Sequence, residues 1–186
     1  MSAAQTLLPV QISRLEEEVA RARRFDLQLA VIVADLDHFQ AINDTHGFES
    51  GDLVLQRVAS FARSALRQTD WIAGSGRQEF VIVLPETHAT GAAAVAERMR
   101  RLCAETSIAL PSGKIQVTAS FGVATLESVA PSDSSADALL READAALGRS
   151  KSSGRNRVTS ALSRVKIIPP EQRIPVREPY IAPTPS

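Results

Sequence analysis

The chain has 186 residues, 44% hydrophobic, 23% charged and 4% aromatic, and its 21 basic residues balance 21 acidic ones. That length supports one compact domain with a real apolar core, while zero net charge argues against a general nucleic-acid binder, whose affinity comes from an excess of Lys and Arg over phosphate. A single cysteine, Cys103, excludes an internal disulfide framework and a Cys-rich metal site; with no apolar run near the roughly 18 to 20 residues that span a bilayer and acids where a signal peptide is apolar, a cytoplasmic protein is expected, with neither nucleic acid nor membrane as partner.

In chain order, Ile12, Leu15, Val19 and Ala22 recur at helical spacing between charged residues, so 11–24 is predicted to be an amphipathic helix. Leu29 to Ala34 is wholly apolar, as in a strand buried on both faces. Leu53, Val54, Val58, Phe61, Ala62 and Ala65 mark a second helix starting near Ser50 or Gly51. Trp71 to Ala73 and Phe80 to Leu84 flank Gly74-Ser75-Gly76-Arg77-Gln78 and read as a hairpin in mid-sheet. An Ala-rich helix over 89–104, strands over 114–118 and 120–125, and a last helix over 135–149 complete an α/β alternation, which predicts a mixed sheet layered with helices.

Six of the ten prolines follow residue 168, a composition that favours extended or polyproline conformations. The expected division is therefore a linker and amphipathic helix at 1–24, a domain at 25–160 and a Pro-rich tail at 161–186, with the boundary near Thr159 to Val165. The tail reads either as a disordered end or, through Ile167, Ile168, Ile174, Val176, Tyr180 and Ile181, as a docking strip for this domain or a partner.

Asp35-Leu36-Asp37-His38-Phe39 directly follows the buried run, Asn43-Asp44 comes eight residues after Asp35, and Gly51-Asp52 lies at the next helix. A carboxylate at a strand end is a natural ligand for a hard cation such as Mg²⁺. An amide and a carboxylate, as in Asn43 and Asp52, match the donors and acceptors of a guanine edge. Taken alone, each residue type at such a position is more usually a turn former or cap. His38, His46 and His88 have no ligand spacing, Cys103 reads as a small core residue, and no nucleophile–base pair can be nominated from spacing.

The ordered set Asp35-x-Asp37-x-Phe39-x3-Asn43-Asp44-x2-Gly47-x3-Gly51-Asp52, Glu79-Phe80, Ser120-Phe121-Gly122-Val123-Ala124, Ala143-Asp144-x-Ala146-Leu147 and Lys151-x2-Gly154-Arg155-Asn156 closely resembles the GGDEF domain family over about residues 10–159. Its active members are diguanylate cyclases, which condense two GTP into cyclic di-GMP. The resemblance implies a nucleotidyl-cyclase-like α/β fold with a central mixed five-stranded sheet surrounded by helices. It also implies guanine contacts for Asn43 and Asp52, phosphate contacts for Lys151 and Arg155, and a metal role for Asp35.

The signature Arg-Tyr-Gly-Gly-Asp/Glu-Glu-Phe is replaced here by Gly74-Ser75-Gly76-Arg77-Gln78-Glu79-Phe80. The metal-holding acid has become Gln78, and metal-assisted displacement loses several kcal/mol of charge stabilisation without its ions. The close-approach glycine has become Arg77, whose cation is expected to crowd the nucleotide and to pair with Asp35 in place of a metal. The preceding arginine is Gly74; further departures are Thr6 to Ile12 in place of the Leu-Thr-Gly-Leu-Pro-Asn-Arg run, Gly47-Phe48 for Gly-His and Ala146-Leu147-Gly148 for Ala-Leu-Tyr. A catalytically inactive domain is expected, needing no cofactor, with Mg²⁺ relevant only if residual nucleotide binding persists.

By contrast, Arg67-Gln68-Thr69-Asp70, expected to end the second helix, stands five residues ahead of Gly76, as does the family's Arg-x-x-Asp product site. The resemblance gives Arg98 the role of completing that site from a neighbouring subunit. An arginine fork grips phosphate or the guanine O6/N7 edge and a carboxylate accepts guanine N–H groups, consistent with micromolar binding, about 8 kcal/mol; the same motif also reads as a helix-end ion pair. The reading that follows is a cyclic di-GMP receptor acting through Arg67, Asp70 and Arg98, by dimerisation or by contact with a signalling protein through the tail. A GTP-binding pseudoenzyme, a ligand-independent scaffold and a residual cyclase stay open. The chain as given has no room for the sensor or receiver domain that usually precedes such modules, so the 11–24 helix is expected to pair with another copy or pack on the domain.

Overall fold

The computed structural model describes residues 7–74, 78–133 and 135–161. Helix α1 (Pro9–Arg24) leads into β1 (Leu29–Leu36), followed by α2 (Phe39–His46), α3 (Phe48–Ala65), β2 (Trp71–Gly74), β3 (Glu79–Pro85) and α4 (Ala89–Glu105). A small hairpin, β4 (Ile108–Leu110) and β5 (Gly113–Ile115), precedes β6 (Ala119–Thr125), α5 (Ala136–Ser152) and β7 (Val158–Ser160). The main sheet has the order β2-β3-β1-β6-β7. Every pairing in it is antiparallel except that of β6 with β7. This is the mixed five-stranded sheet with covering helices that the sequence implies.

The apolar run of β1 occupies the sheet centre, and all eight of its residues are buried. Side chains alternate along a strand, so Ala30, Ile32, Ala34 and Leu36 pack with α3 and α4, while Leu29, Val31 and Val33 pack with α1 and α5. Each fully buried Val, Leu or Ile in such a position contributes about 2 kcal/mol. Helix α1 lies on the second face through Leu15, Val19 and Ala22. It is clipped there by the Arg14 guanidinium, 4.4 Å above the Trp71 ring, and by Arg21, 2.7 Å from Glu86. Packing on the domain is thus one of the two arrangements expected for this helix.

Several boundaries differ from the sequence reading. The second helix starts at Phe48 because Gly47, at φ +81°, breaks one helical stretch into α2 and α3. The hairpin of β2 and β3 forms one edge of the sheet rather than its middle, since β1 inserts between β3 and β6. The strand expected at 114–118 is shorter, Gly113–Ile115, and pairs with Ile108–Leu110 outside the main sheet, because Pro111-Ser112-Gly113 turns the chain back on itself. Helix α5 runs on to Ser152, placing Lys151 in its last turn. The edge strand β7 adds to the sheet, and Ala161 N–H bonds the Val123 carbonyl at 2.7 Å. From residue 162 onward the expected tail lies outside the described residues.

Close approach of α5 to the sheet depends on one residue. A Cβ at Gly122 would lie 2.1 Å from the Ala143 carbonyl oxygen and 2.3 Å from the Leu147 amide. The Ser-Phe-Gly-Val-Ala run is therefore a packing feature, and α5 carries Lys151 to the site because that position has no side chain.

Candidate functional site

One end of the sheet gathers the end of β1, the start of β3, the start of β6, the last turn of α5 and the turn beyond it. There, Asp35, Leu36, Asp37, His38, Phe39, Gln40, Gln78, Lys151 and Arg155 line an open polar cleft of about 230 Å³. Asp35 is 7% exposed, and Lys151 Nζ stands 3.0 Å from its Oδ2. Gln78, held opposite β1 by the Leu36 N–H to Gln78 carbonyl bond of 3.2 Å, turns its side chain to hydrogen-bond Asp35. Burial pushes the Asp35 carboxyl above its ordinary range, opposed by the Lys151 ammonium. Lys151 is therefore an ion-pair partner of Asp35; the pairing expected between Asp35 and Arg77 falls on residues 75–77, which lie outside the described residues.

Asp37, to which the sequence reading gave no role, is a structural clasp. Its Oδ2 accepts from Thr118 Oγ1 at 2.7 Å and from the Asn156 N–H at 3.0 Å, and its Oδ1 accepts from Ser120 Oγ at 2.7 Å. Gly154, Arg155 and Asn156 all have positive φ, a conformation costly for the latter two. The turn is held by Asp37, by the Arg155 N–H to Ser150 carbonyl bond of 3.0 Å, and by Arg100 Nη1 donating to Asn156 Oδ1 at 2.8 Å. The signal for Asp37 was present in the sequence as the second acid of Asp35-x-Asp37.

Mg²⁺ takes anionic oxygen donors in near-octahedral array. Among the described residues that line the cleft, Asp35 has a neutral amide and an ammonium as neighbours, and the Asp37 oxygens are already engaged. Glu79, paired with Asp35 in the strand register, is not among the cleft-lining residues. This donor set does not fit the cation. Among the described residues no group of three or more His, Cys, Asp or Glu side chains is placed to hold a metal.

Asn43, on α2, and Asp52, on α3, are both outside the residues lining the cleft. Asn43 Oδ1 is buried without a partner and sits where a Cβ at Gly51 would be, at 1.9 Å; Asp52 is exposed. His46 bonds Ser112 Oγ at 3.1 Å, and burial pushes the Cys103 thiol up to about 12.

A second cluster lies where α3 passes to the edge strand β2. Arg67 to Asp70 forms a turn beyond the end of α3, not the helix end itself, since α3 stops at Ala65. The Arg67 N–H donates to Asp70 Oδ2 at 2.8 Å and the Asp70 N–H to the Arg67 carbonyl at 3.2 Å. Asp70 Oδ1 is buried with no partner, and the Arg67 side chain is exposed with none among the described residues. Arg98 on α4 reaches the same place within one chain, donating to the Ala65 carbonyl. Arg67 and Asp70 are thus joined in one turn, and Arg98 of the same chain is bound two residues before it, at the Ala65 carbonyl.

Residues 11–157 match the family described as diguanylate cyclase, GGDEF domain. The chain belongs to the GGDEF family. This GGDEF domain is 43% identical over 131 residues to diguanylate cyclase A of Treponema denticola, covering 70% of the present chain and 34% of that relative. It is 38% identical over 148 residues to diguanylate cyclase DgcP of Pseudomonas aeruginosa, covering 80% of the chain and 22% of DgcP. The chain thus spans about a third or less of the length of these relatives. Among solved structures it is similar to the GGDEF domain of DgcB from Caulobacter crescentus in complex with c-di-GMP, with a TM-score of 0.74, 32% identity, and coverage of 80% of this chain and 86% of that one. No helix among the described residues is long and apolar enough to cross a membrane.

Proposed function

We propose that this GGDEF domain makes no cyclic di-GMP and instead binds it as a receptor through Arg67, Asp70 and Arg98. The carrying observation is the pairing of Asp35 with Lys151 and Gln78, which leaves a metal-dependent condensation without its ion. Receptor function is supported by the exposed Arg67 guanidinium, the unpartnered Asp70 Oδ1 and the adjacent Arg98, together a fork and an acceptor for phosphate and guanine. A stacked, dimeric ligand binds two such turns at once and so draws two copies together; signalling then runs through the homodimer or through a protein held by the 161–186 tail. Calorimetric titration with cyclic di-GMP tests the reading: micromolar binding in the parent and at least tenfold weaker binding in Arg67→Ala are expected, and equal affinities reject it.

The names of the curated relatives favour a second reading, residual cyclase activity with GTP held by Asn43, Asp52, Lys151 and Arg155. Incubation of GTP with Mg²⁺ or Mn²⁺ separates the two. No product is expected, and sustained product formation that Asp35→Ala abolishes establishes the cyclase instead.

A further inference from the structure

Away from both clusters, an open groove of about 380 Å³ runs between α3 and the small hairpin, with Leu53, Gln56, Arg57 and Ser60 on one side and Ser107 to Ala109 on the other. The geometry points to a docking site for an extended acidic peptide of a partner protein, added as a strand on the open edge of β4. In its sheet β4 has only β5 beside it, so the groove lies along its unpaired edge. Leu110 faces Gly113 across the Pro111-Ser112 turn, and so short a turn is closed by a hydrogen-bonded pair. Bonded and unbonded pairs alternate along an antiparallel ladder, which makes Ala109 and Lys114 an unbonded pair. The Ala109 N–H and C=O therefore point out of the hairpin toward the groove, and neither has a partner among the described residues. An exposed donor and acceptor on a strand edge are a template for a further backbone. The edge is also held in place, because Ser112 Oγ lies 3.1 Å from His46 Nδ1 at the end of α2.

Helix α3 sets the side chains that such a peptide carries. Alternate residues of an extended chain share a face and lie about 6.8 Å apart. Leu53 and Arg57, one helical turn from each other, are about 6 Å apart. Consecutive inward side chains of the peptide therefore meet an exposed apolar residue and then a guanidinium. The Arg57 guanidinium lies 5.6 Å from the Phe61 ring centroid and has no hydrogen-bond or ion-pair partner among the described residues. Its fork is open to a carboxylate. The surrounding charges fix the polarity. Glu49 and Asp52 stand a turn nearer the start of α3, Arg63 lies beyond Ser60, and Lys114 is opposite Ala109; all four are exposed and outside the lining. Glu105, ahead of β4, interacts with Arg100 on α4. The apolar peptide residue thus belongs at Leu53, and the acid at Arg57, away from Glu49 and Asp52.

Docking here needs neither the Arg67–Asp70 cluster nor the cleft beside Asp35, and its test contains no nucleotide. The probe is a fluorescently labelled Ser-Val-Thr-Val-Thr-Glu-Thr amide, titrated with the full chain and read by anisotropy. Saturable binding is expected, weakened about tenfold by Arg57→Gln and severalfold by Leu53→Ser. Charge exchange separates a lost contact from a lost fold: Arg57→Glu should release this peptide and gain affinity for the version with Lys in place of Glu. N-methylation of one alternate set of peptide residues should abolish binding and of the other set leave it, since only one set turns its N–H toward Ala109. No binding by the parent protein overturns the inference. Binding indifferent to N-methylation also overturns it, because that marks a charged patch and not a strand edge. A concentration-dependent dimer of the protein alone, dissolved by Arg57→Glu, gives the groove to a second copy and overturns the peptide assignment.

Discussion

At the scale of single residues, the two acids of Asp35-Leu36-Asp37 have opposite fates set by their neighbours. Asp35, next to the last residue of β1, lines the cleft, and Lys151, its cationic partner among the described residues, is at the solvent boundary. Asp37, one strand step on, is engaged by two hydroxyls and a backbone N–H. Removing the latter carboxylate leaves three buried or half-buried donors unpaired and releases the strained 154–156 turn. Asp37→Ala is expected to cost about 3 kcal/mol, read from urea unfolding, with Asp37→Asn costing less because it keeps part of the acceptor set. Cys103 gives a pH-linked expectation. Its folded-state thiol, raised to about 12 from an ordinary 9.0, holds its proton while the unfolded thiol loses it. Stability from this group is therefore present below pH 9 and declines as pH rises through 9 toward 12. At pH 8 a thiol reagent should label Cys103 only as fast as the protein unfolds; rapid labelling of native protein contradicts its burial at 1% exposure.

At the scale of elements, the helices and β1 were legible because burial has a local signature. Leu15, Val19 and Ala22 share one face at helical spacing, and an unbroken apolar run implies cover on both sides of a strand. Of the three-residue elements, β4 and β7 carry too little periodicity to be read and β5 was expected over a longer span, 114–118; each is a strand only because a partner strand or sheet edge is present. The contact of α5 with β6 is tested through its narrowest point. Gly122→Ala would drive a methyl into the Ala143 carbonyl and the Leu147 amide, both backbone atoms that cannot rotate away. A loss of about 3 kcal/mol in thermal or urea unfolding is expected. Unchanged stability would argue against so close an approach of α5 to β6.

At the scale of the whole molecule, two separate clusters share one scaffold: the cleft at one end of the sheet and the Arg67–Asp70 turn beside the edge strand β2. Helix α4 touches both, through Arg98 at the Ala65 carbonyl and Arg100 at Asn156 Oδ1. If stacked ligand joins two copies through the exposed turn, light scattering should report a shift from monomer to dimer mass on addition of cyclic di-GMP. Arg98→Ala should raise the ligand concentration required about tenfold. A mass unchanged at saturating ligand would leave a receptor that signals without dimerising and would reject the two-copy arrangement.

Local order in the chain was enough to establish the family, the replacement of the signature acid by Gln78, the helical faces and the central strand, because residue identity and short-range periodicity are properties of neighbours in sequence. Only folding decided that Lys151 stands at Asp35, that Asp37 is spent on a turn near the far end of the domain, and that Arg98 is bound at the Ala65 carbonyl at the end of α3. Those partners are far apart along the backbone, and sheet register together with the side-chain-free approach at Gly122 brings them within hydrogen-bonding distance.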